Sequence, residues 1–129
     1  MSYKKANLED LVTTVKTLRG PDGCPWDRRQ STESMVKYLD SEYNELLEAI
    51  SNRDTDNICE EIGDLLFTLV MIAEIEEENG NFTLHTVLHN INKKLIRRHP
   101  HVFAGVEISS EQELREQWEK IKALEKSKK

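Results

Sequence analysis

An all-α fold, a bundle of about five helices, is the class expected from this sequence. Apolar residues recur three and four apart in successive stretches, so each stretch lines one face of a helix. No stretch alternates convincingly between apolar and polar residues, as a half-buried strand would. Charged residues make up 33% and aromatics only 6%, a balance that suits well-solvated helices.

The first helix is expected from about Asn7 to Arg19, with Leu8, Leu11, Val12, Val15 and Leu18 on one face. Asn7 is its N-cap, and Gly20-Pro21 ends it. The following GPDGCPWDRRQ reads as a loop from its Gly and Pro content. A second helix starts near Ser31 or Thr32 and ends near Asn52, with Met35, Leu39, Leu46 and Ile50 as its apolar stripe. Glu42 falls inside that stripe, between Leu39 and Leu46, where a Leu would be expected.

The third helix runs from about Asp56 to Asn79 and stops at Gly80. From Ile62 to Ala73 it is apolar almost all round, so it must be covered on more than one side. One short chain can hardly do this alone, which predicts a homodimer or higher assembly. Gly63, in the middle, costs about 1 kcal/mol relative to Ala; close approach of another helix or a ligand would account for it. The fourth helix starts at Thr83 and runs to about Arg98, with Leu84, Val87, Leu88, Ile91 and Leu95 inward. HPHVFAGVE then reads as a loop. The fifth helix opens on a capping box, Ser110 with Glu113, and carries Leu114, Trp118, Ile121 and Leu124 at helical spacing. The final LEKSKK reads as a fraying, charged tail.

At 129 residues the chain is expected to be one domain, residues 1–129, with its core over about 7–126. Its net charge of −6 argues against nucleic acid as a partner. Cys24 and Cys59 do not form a CxxC pair and read as reduced and structural. MSYKKANLEDL has no apolar signal core, and no run reaches the roughly 20 apolar residues that span a bilayer. A cytoplasmic protein with no membrane partner is the expectation.

The chemistry is concentrated in four acids on neighbouring helices: Glu42 and Glu45, then Glu61 and Asp64. Within each pair the residues are three apart and share a helix face. In an antiparallel hairpin the two pairs can face each other. Carboxylates with no Cys or His among them suit a hard cation such as Mg²⁺. The alternative is an ordinary solvated face, of which Glu60, Glu74, Glu76, Glu77 and Glu78 are taken as examples. A di-iron bundle would need Glu-x-x-His motifs, and none occurs. His85 and His89 are four apart but lack a completing ligand, and His99 and His101 flank Pro100 in a loop.

Four segments in order carry a family resemblance. CPWDRRQSTES, the acids Glu42, Glu45, Glu61 and Asp64, KLIRRHPHVF at 94–103 and the late WEKIKALEK together resemble a MazG-type nucleoside triphosphate pyrophosphohydrolase, of the all-α NTP pyrophosphatase group. The similarity extends from Leu8 to Lys126. One position departs: the family usually has two adjacent acids at the start of its first metal motif, and here the first is Ser41. Asp40 points about 100° away and does not replace it.

The resemblance implies Mg²⁺-dependent hydrolysis of nucleoside triphosphates to monophosphate and pyrophosphate, with Mn²⁺ as a substitute ion, in nucleotide-pool housekeeping. It makes Glu42, Glu45, Glu61 and Asp64 both metal ligands and catalytic residues. An NTP brings about four negative charges, which cannot share a pocket with four acids unless divalent metal lies between them. Within the family signature Lys94, Arg97 and Arg98 become triphosphate contacts. Lys93 with Arg97, and Lys94 with Arg98, are spaced i,i+4, although cations at a helix C-terminus are favoured in any case. Trp118 and Lys122, also i,i+4, become a base-stacking ring and a phosphate contact; a core Trp beside a snorkelling Lys is the plain alternative. Trp26 either closes over a nucleobase or plugs the bundle end, while Asp27 and Gln30 could read polar base edges. Two other functions fit the same residues: a relative restricted to dUTP, dCTP or phosphoribosyl-ATP, or a non-catalytic nucleotide-binding or interaction domain.

Overall fold

The computed structural model describes residues 6–128. Residues 1–5 and 129, part of the expected N-terminal stretch and charged tail, lie outside them. The long helices are α1 (Leu8–Leu18), α3 (Val36–Ser51), α4 (Thr55–Glu78), α5 (Leu84–Arg98) and α7 (Glu111–Ser127). Two single-turn helices, α2 (Pro25–Arg28) and α6 (Pro100–Phe103), and a 3-10 turn at Glu33–Met35 complete the order. No strand occurs among the described residues, so the all-α class holds.

Both segments expected to be plain loops contain a helical turn. In each, Pro occupies the start of the turn, where its fixed φ is already helical and its missing N–H costs nothing. The second expected helix also begins later, because Glu33–Met35 winds as 3-10 before α3.

Local chemistry sets the ends. Asn7 Oδ1 accepts from Asp10 N at 3.0 Å and Asp10 Oδ2 accepts from Asn7 N at 2.9 Å, a reciprocal box at the start of α1. Asp54 accepts from Asn57 N at the start of α4. Gly80, with φ +77°, stops that helix as expected. Ser110 Oγ accepts from Glu113 N, but the Glu113 carboxylate caps Ser109 N, one residue before the expected partner. Contrary to the expected fraying tail, α7 continues to Ser127.

The described chain falls into two compact units divided between Leu84 and His85. In the first, Val12 and Val15 of α1 meet Met35 and Val70, Met71 and Ile75 of α4, with Leu8, Leu11, Trp26, Tyr38, Phe67 and Leu84 around them. Met35, Met71, Val15 and Val70 are fully buried, each worth about 1.5–3 kcal/mol in transfer. Helices α3 and α4, joined by the turn 52–54, pack as an antiparallel hairpin.

The cover over α4 is one-sided. Val70, Met71, Ala73 and Ile75 are buried, whereas Ile62, Leu66 and Leu69 are 52%, 41% and 48% exposed. Ile50, expected in the apolar stripe of α3, is also exposed. Gly63 has open space where a Cβ would lie, so no part of the described chain approaches it closely. In the second unit α5 buries no residue: Val87, Leu88, Ile91 and Leu95, expected inward, are all exposed.

Candidate functional site

The α3–α4 hairpin brings the four acids together. Glu42 and Glu45 project from α3, Glu61 and Asp64 from α4, and one carboxylate oxygen of each lies within 4.8 Å of the others. Glu61 is buried, Glu42 half-buried, and Glu45 and Asp64 exposed, so the cluster is rooted in the hairpin and opens outward. Among the described residues no other grouping of His, Cys, Asp and Glu has three members close enough for one ion.

This proximity costs energy. Burial pushes the Glu61 carboxyl up to about 7, reinforced by a hydrogen bond with Glu45 and by the charges of Glu45, Asp64 and Glu42. Glu42 is pushed up in the same sense, first by burial and then by the charges of Glu45 and Asp64. Glu42 Oε2 and Glu61 Oε2 are buried without a hydrogen-bond partner. Buried carboxylate oxygens without donors, held close to two further carboxylates, fit a divalent cation: it would neutralise the repulsion and satisfy the orphaned oxygens. An oxygen-only donor set selects a hard ion over a thiophilic one.

The expected solvent-facing glutamates of α4 are not all of that kind. Glu74 is 3% exposed and accepts from Lys16 Nζ at 2.6 Å. Glu76 accepts from Thr32 Oγ1 and Asn81 Nδ2, both at 2.6 Å. These carboxylates tie α1 and the segment before α3 to the far end of α4, away from the acid cluster.

Trp26 packs against the hydrophobic core, edge-on to Tyr38 at 5.0 Å between ring centres, with its Nε1 donating to Tyr38 Oη at 3.3 Å. Asp27 is buried, and Gln30 donates to Trp26 O and accepts from Ser34 Oγ.

In the second unit Lys94, Arg97, Arg98 and Lys122 line one open groove of about 820 Å³ between α5 and α7. Arg97 Nε reaches Glu125 Oε2 at 2.5 Å, and Arg98 Nη2 reaches Glu125 Oε1 at 2.8 Å. The two guanidiniums hold the Glu125 carboxyl down at about 2, chiefly through the Arg98 and Arg97 hydrogen bonds. Trp118 is half-buried, with His99 edge-on at 5.8 Å and its own Nε1 buried without a partner. Glu125 escaped the sequence reading, although its position three residues past Lys122 and seven past Trp118 puts all three on one helix face. Arg97 and Glu125 lie far apart in the chain, and such a pair leaves no local signal.

Fold and site together define an all-helical protein whose central hairpin carries a four-carboxylate cluster able to hold a metal ion. The model of the MazG nucleotide pyrophosphohydrolase domain matches residues 30–103, more than half of the chain. The chain belongs to the MazG nucleotide pyrophosphohydrolase domain family. It is 48% identical over 122 residues to the nucleoside triphosphate pyrophosphohydrolase/pyrophosphatase MazG of Thermotoga maritima, covering 95% of this chain and 46% of that one. It is 39% identical over 123 residues to the nucleoside triphosphate pyrophosphohydrolase of Escherichia coli K12, covering 95% and 47%. The chain thus spans less than half the length of either relative. A crystal structure of a mazG-related protein from Thermotoga maritima superposes with a TM-score of 0.75 at 29% identity, covering 90% of this chain and 99% of that one.

Proposed function

We propose that this chain hydrolyses nucleoside triphosphates to nucleoside monophosphate and pyrophosphate with Mg²⁺, Mn²⁺ serving as a substitute. The observation that carries this reading is the convergence of four carboxylates with two buried, unpartnered oxygens. Glu42, Glu45, Glu61 and Asp64 would hold the ion. When bound, it would supply charge neutralisation for the triphosphate and Lewis acidity toward water and phosphate oxygens.

Water adds to the α-phosphorus, forming a new P–O bond. The bond to the bridging oxygen breaks, and pyrophosphate leaves with its electron pair. One carboxylate of the cluster takes the proton of the attacking water. Lys94, Arg97, Arg98 and Lys122 offset the charge of the phosphate oxygens, and Trp118 presents its ring to the base. Trp26 is the remaining candidate for an aromatic contact to substrate. The exposed Ile62, Leu66 and Leu69 supply an apolar face for a second copy of the chain. The setting is nucleotide-pool housekeeping in the cytoplasm; no described helix is long and apolar enough to cross a membrane.

The test is a panel of NTPs and dNTPs with Mg²⁺, products separated. Monophosphate plus pyrophosphate is expected. Diphosphate plus phosphate would place attack at another phosphorus, and no turnover of any substrate would leave a nucleotide-binding module. Turnover confined to dUTP, dCTP or phosphoribosyl-ATP would narrow the substrate and keep the chemistry.

A further inference from the structure

The groove between α5 and α7 already holds an anion, and the chain itself supplies it. Six cations line this groove, Lys94, Arg97, Arg98, Lys122, Lys126 and Lys128, against two acids, Glu119 and Glu125. So positive a surface stands out in a chain of net charge −6 and points to an anionic ligand. Yet the two arginines, the groups best shaped for a phosphoryl group, are both engaged by Glu125, one on each oxygen. A carboxylate and a phosphoryl group each offer a guanidinium paired acceptor oxygens.

We propose that Glu125 is an internal stand-in for phosphate, which occupies the Arg97–Arg98 site until a polyphosphate displaces it. This rests on the reading of these cations as triphosphate contacts. Arg98 and Glu125 have side chains only 25% and 20% exposed, and a guanidinium left unpaired there would be costly. Glu125 removes that cost in the empty groove. The pairing is incomplete, since Arg98 Nε is buried with no partner, so one donor of the fork remains for a ligand with more acceptor oxygens than a carboxylate. A triphosphate carries more charge and more oxygens, and it wins the exchange. Glu125 therefore sets affinity for the charged end of the substrate and returns to the arginines as pyrophosphate leaves.

The experiment is calorimetric titration of the full chain with inorganic triphosphate in the presence of a chelator, so that the anion is free of metal. Glu125→Gln should bind roughly two- to fivefold more tightly than the unmodified chain, the range expected for losing a partly exposed competing ion pair. Arg98→Ala and Lys94→Ala should bind more weakly. If these two variants bind normally, the phosphate reading of the groove fails, and the inference with it. If they weaken binding while Glu125→Gln is unchanged or weaker, the groove is a phosphate site but Glu125 merely positions the arginines, and the inference is overturned. NMR of the unmodified chain reads the same exchange without a substitution. Saturating triphosphate should shift the Arg97 and Arg98 Hε resonances together with the Glu125 carboxyl carbon; an unmoved Glu125 carbon under shifted arginines would likewise overturn the displacement.

Discussion

Arg19, at the end of α1, grips Glu78, at the end of α4, through both edges of its guanidinium: Nε to Oε2 at 2.6 Å and Nη2 to Oε1 at 3.0 Å. Its remaining arm donates to Asp27 O at 2.5 Å and Gln30 O at 3.3 Å. One side chain, 8% exposed, thus ties α1, the α2 turn and the far end of the hairpin helix. Two backbone carbonyls and a carboxylate depend on it.

Arg19→Ala should therefore destabilise the chain by roughly 2 kcal/mol, the loss of charge-assisted bonds discounted because Glu78 is half exposed. Arg19→Lys should recover little, since an ammonium cannot fork. Urea denaturation measures both. A change within a few tenths of a kcal/mol for Arg19→Ala would mean that the α2 turn is held by packing around Trp26 instead.

The five long helices were legible because each buries or presents a periodic apolar face, and the acid cluster because i,i+3 spacing survives from sequence to structure. The Arg19 clasp was not legible. Its partners sit in a turn and at the end of another helix, and nothing near Arg19 in the chain encodes them. Glu74 misled for the same reason: it stands in a run of ordinary glutamates, and only the approach of Lys16 from α1 makes its burial tolerable. The extent of burial also escaped. Periodicity says which face is apolar but not what covers it, and for Ile62, Leu66 and Leu69 the described chain supplies only partial cover.

Those three exposed side chains carry the next prediction. Sedimentation at micromolar concentration should show a dimer or larger species, and Leu69→Asp should shift it toward monomer by placing a charge where an apolar contact is needed. A well-folded monomer for the unmodified chain would leave the face without the partner proposed for it.

Substituting the cluster should separate stability from turnover. Glu42→Gln, Glu45→Gln, Glu61→Gln and Asp64→Asn each remove a charge at nearly constant volume. Pyrophosphohydrolase activity should fall by orders of magnitude, because a hard cation loses an anionic ligand. The metal-free protein should meanwhile be as stable as the unmodified chain or more so, above all for Glu61→Gln, since mutual repulsion is relieved. Full Mg²⁺-dependent turnover in all four variants would move the catalytic site elsewhere.

Trp118 offers a choice between ring and core. Trp118→Ala should weaken nucleotide and nucleoside binding alike, by the roughly 1–3 kcal/mol that base–aromatic stacking contributes in single-strand sites. Arg98→Ala and Lys122→Ala should weaken nucleotide binding far more than nucleoside binding, since what they lose is charge. If Trp118→Ala lowers thermal stability sharply and leaves both affinities intact, the indole is structural, held by its packing against His99.

The acid cluster also sets a pH dependence whose sign can be worked out. In the folded, metal-free chain the Glu61 carboxyl sits at about 7, against an ordinary value of 4.5. Between those limits the folded state holds a proton that the unfolded chain has released. Stability therefore falls as pH rises through that window, and Glu42, pushed up by the same causes, adds to the fall. Glu76, Glu78, Glu113 and Glu125 are shifted down, so their contribution is present above the ordinary carboxylate range and is lost only in more acidic solution. The two groups do not compete in the same window. Chemical denaturation in chelator should show lower stability at pH 7.5 than at pH 5.5, and Glu61→Gln should flatten that slope. Added Mg²⁺ should reverse the trend, because an ion held by carboxylates requires them deprotonated and binds more tightly as pH rises towards about 7, where Glu61 gives up its proton. A metal-free slope that Glu61→Gln leaves unchanged would show that Glu61 does not carry that proton, and a Mg²⁺ stabilisation independent of pH would show that the ion binds elsewhere.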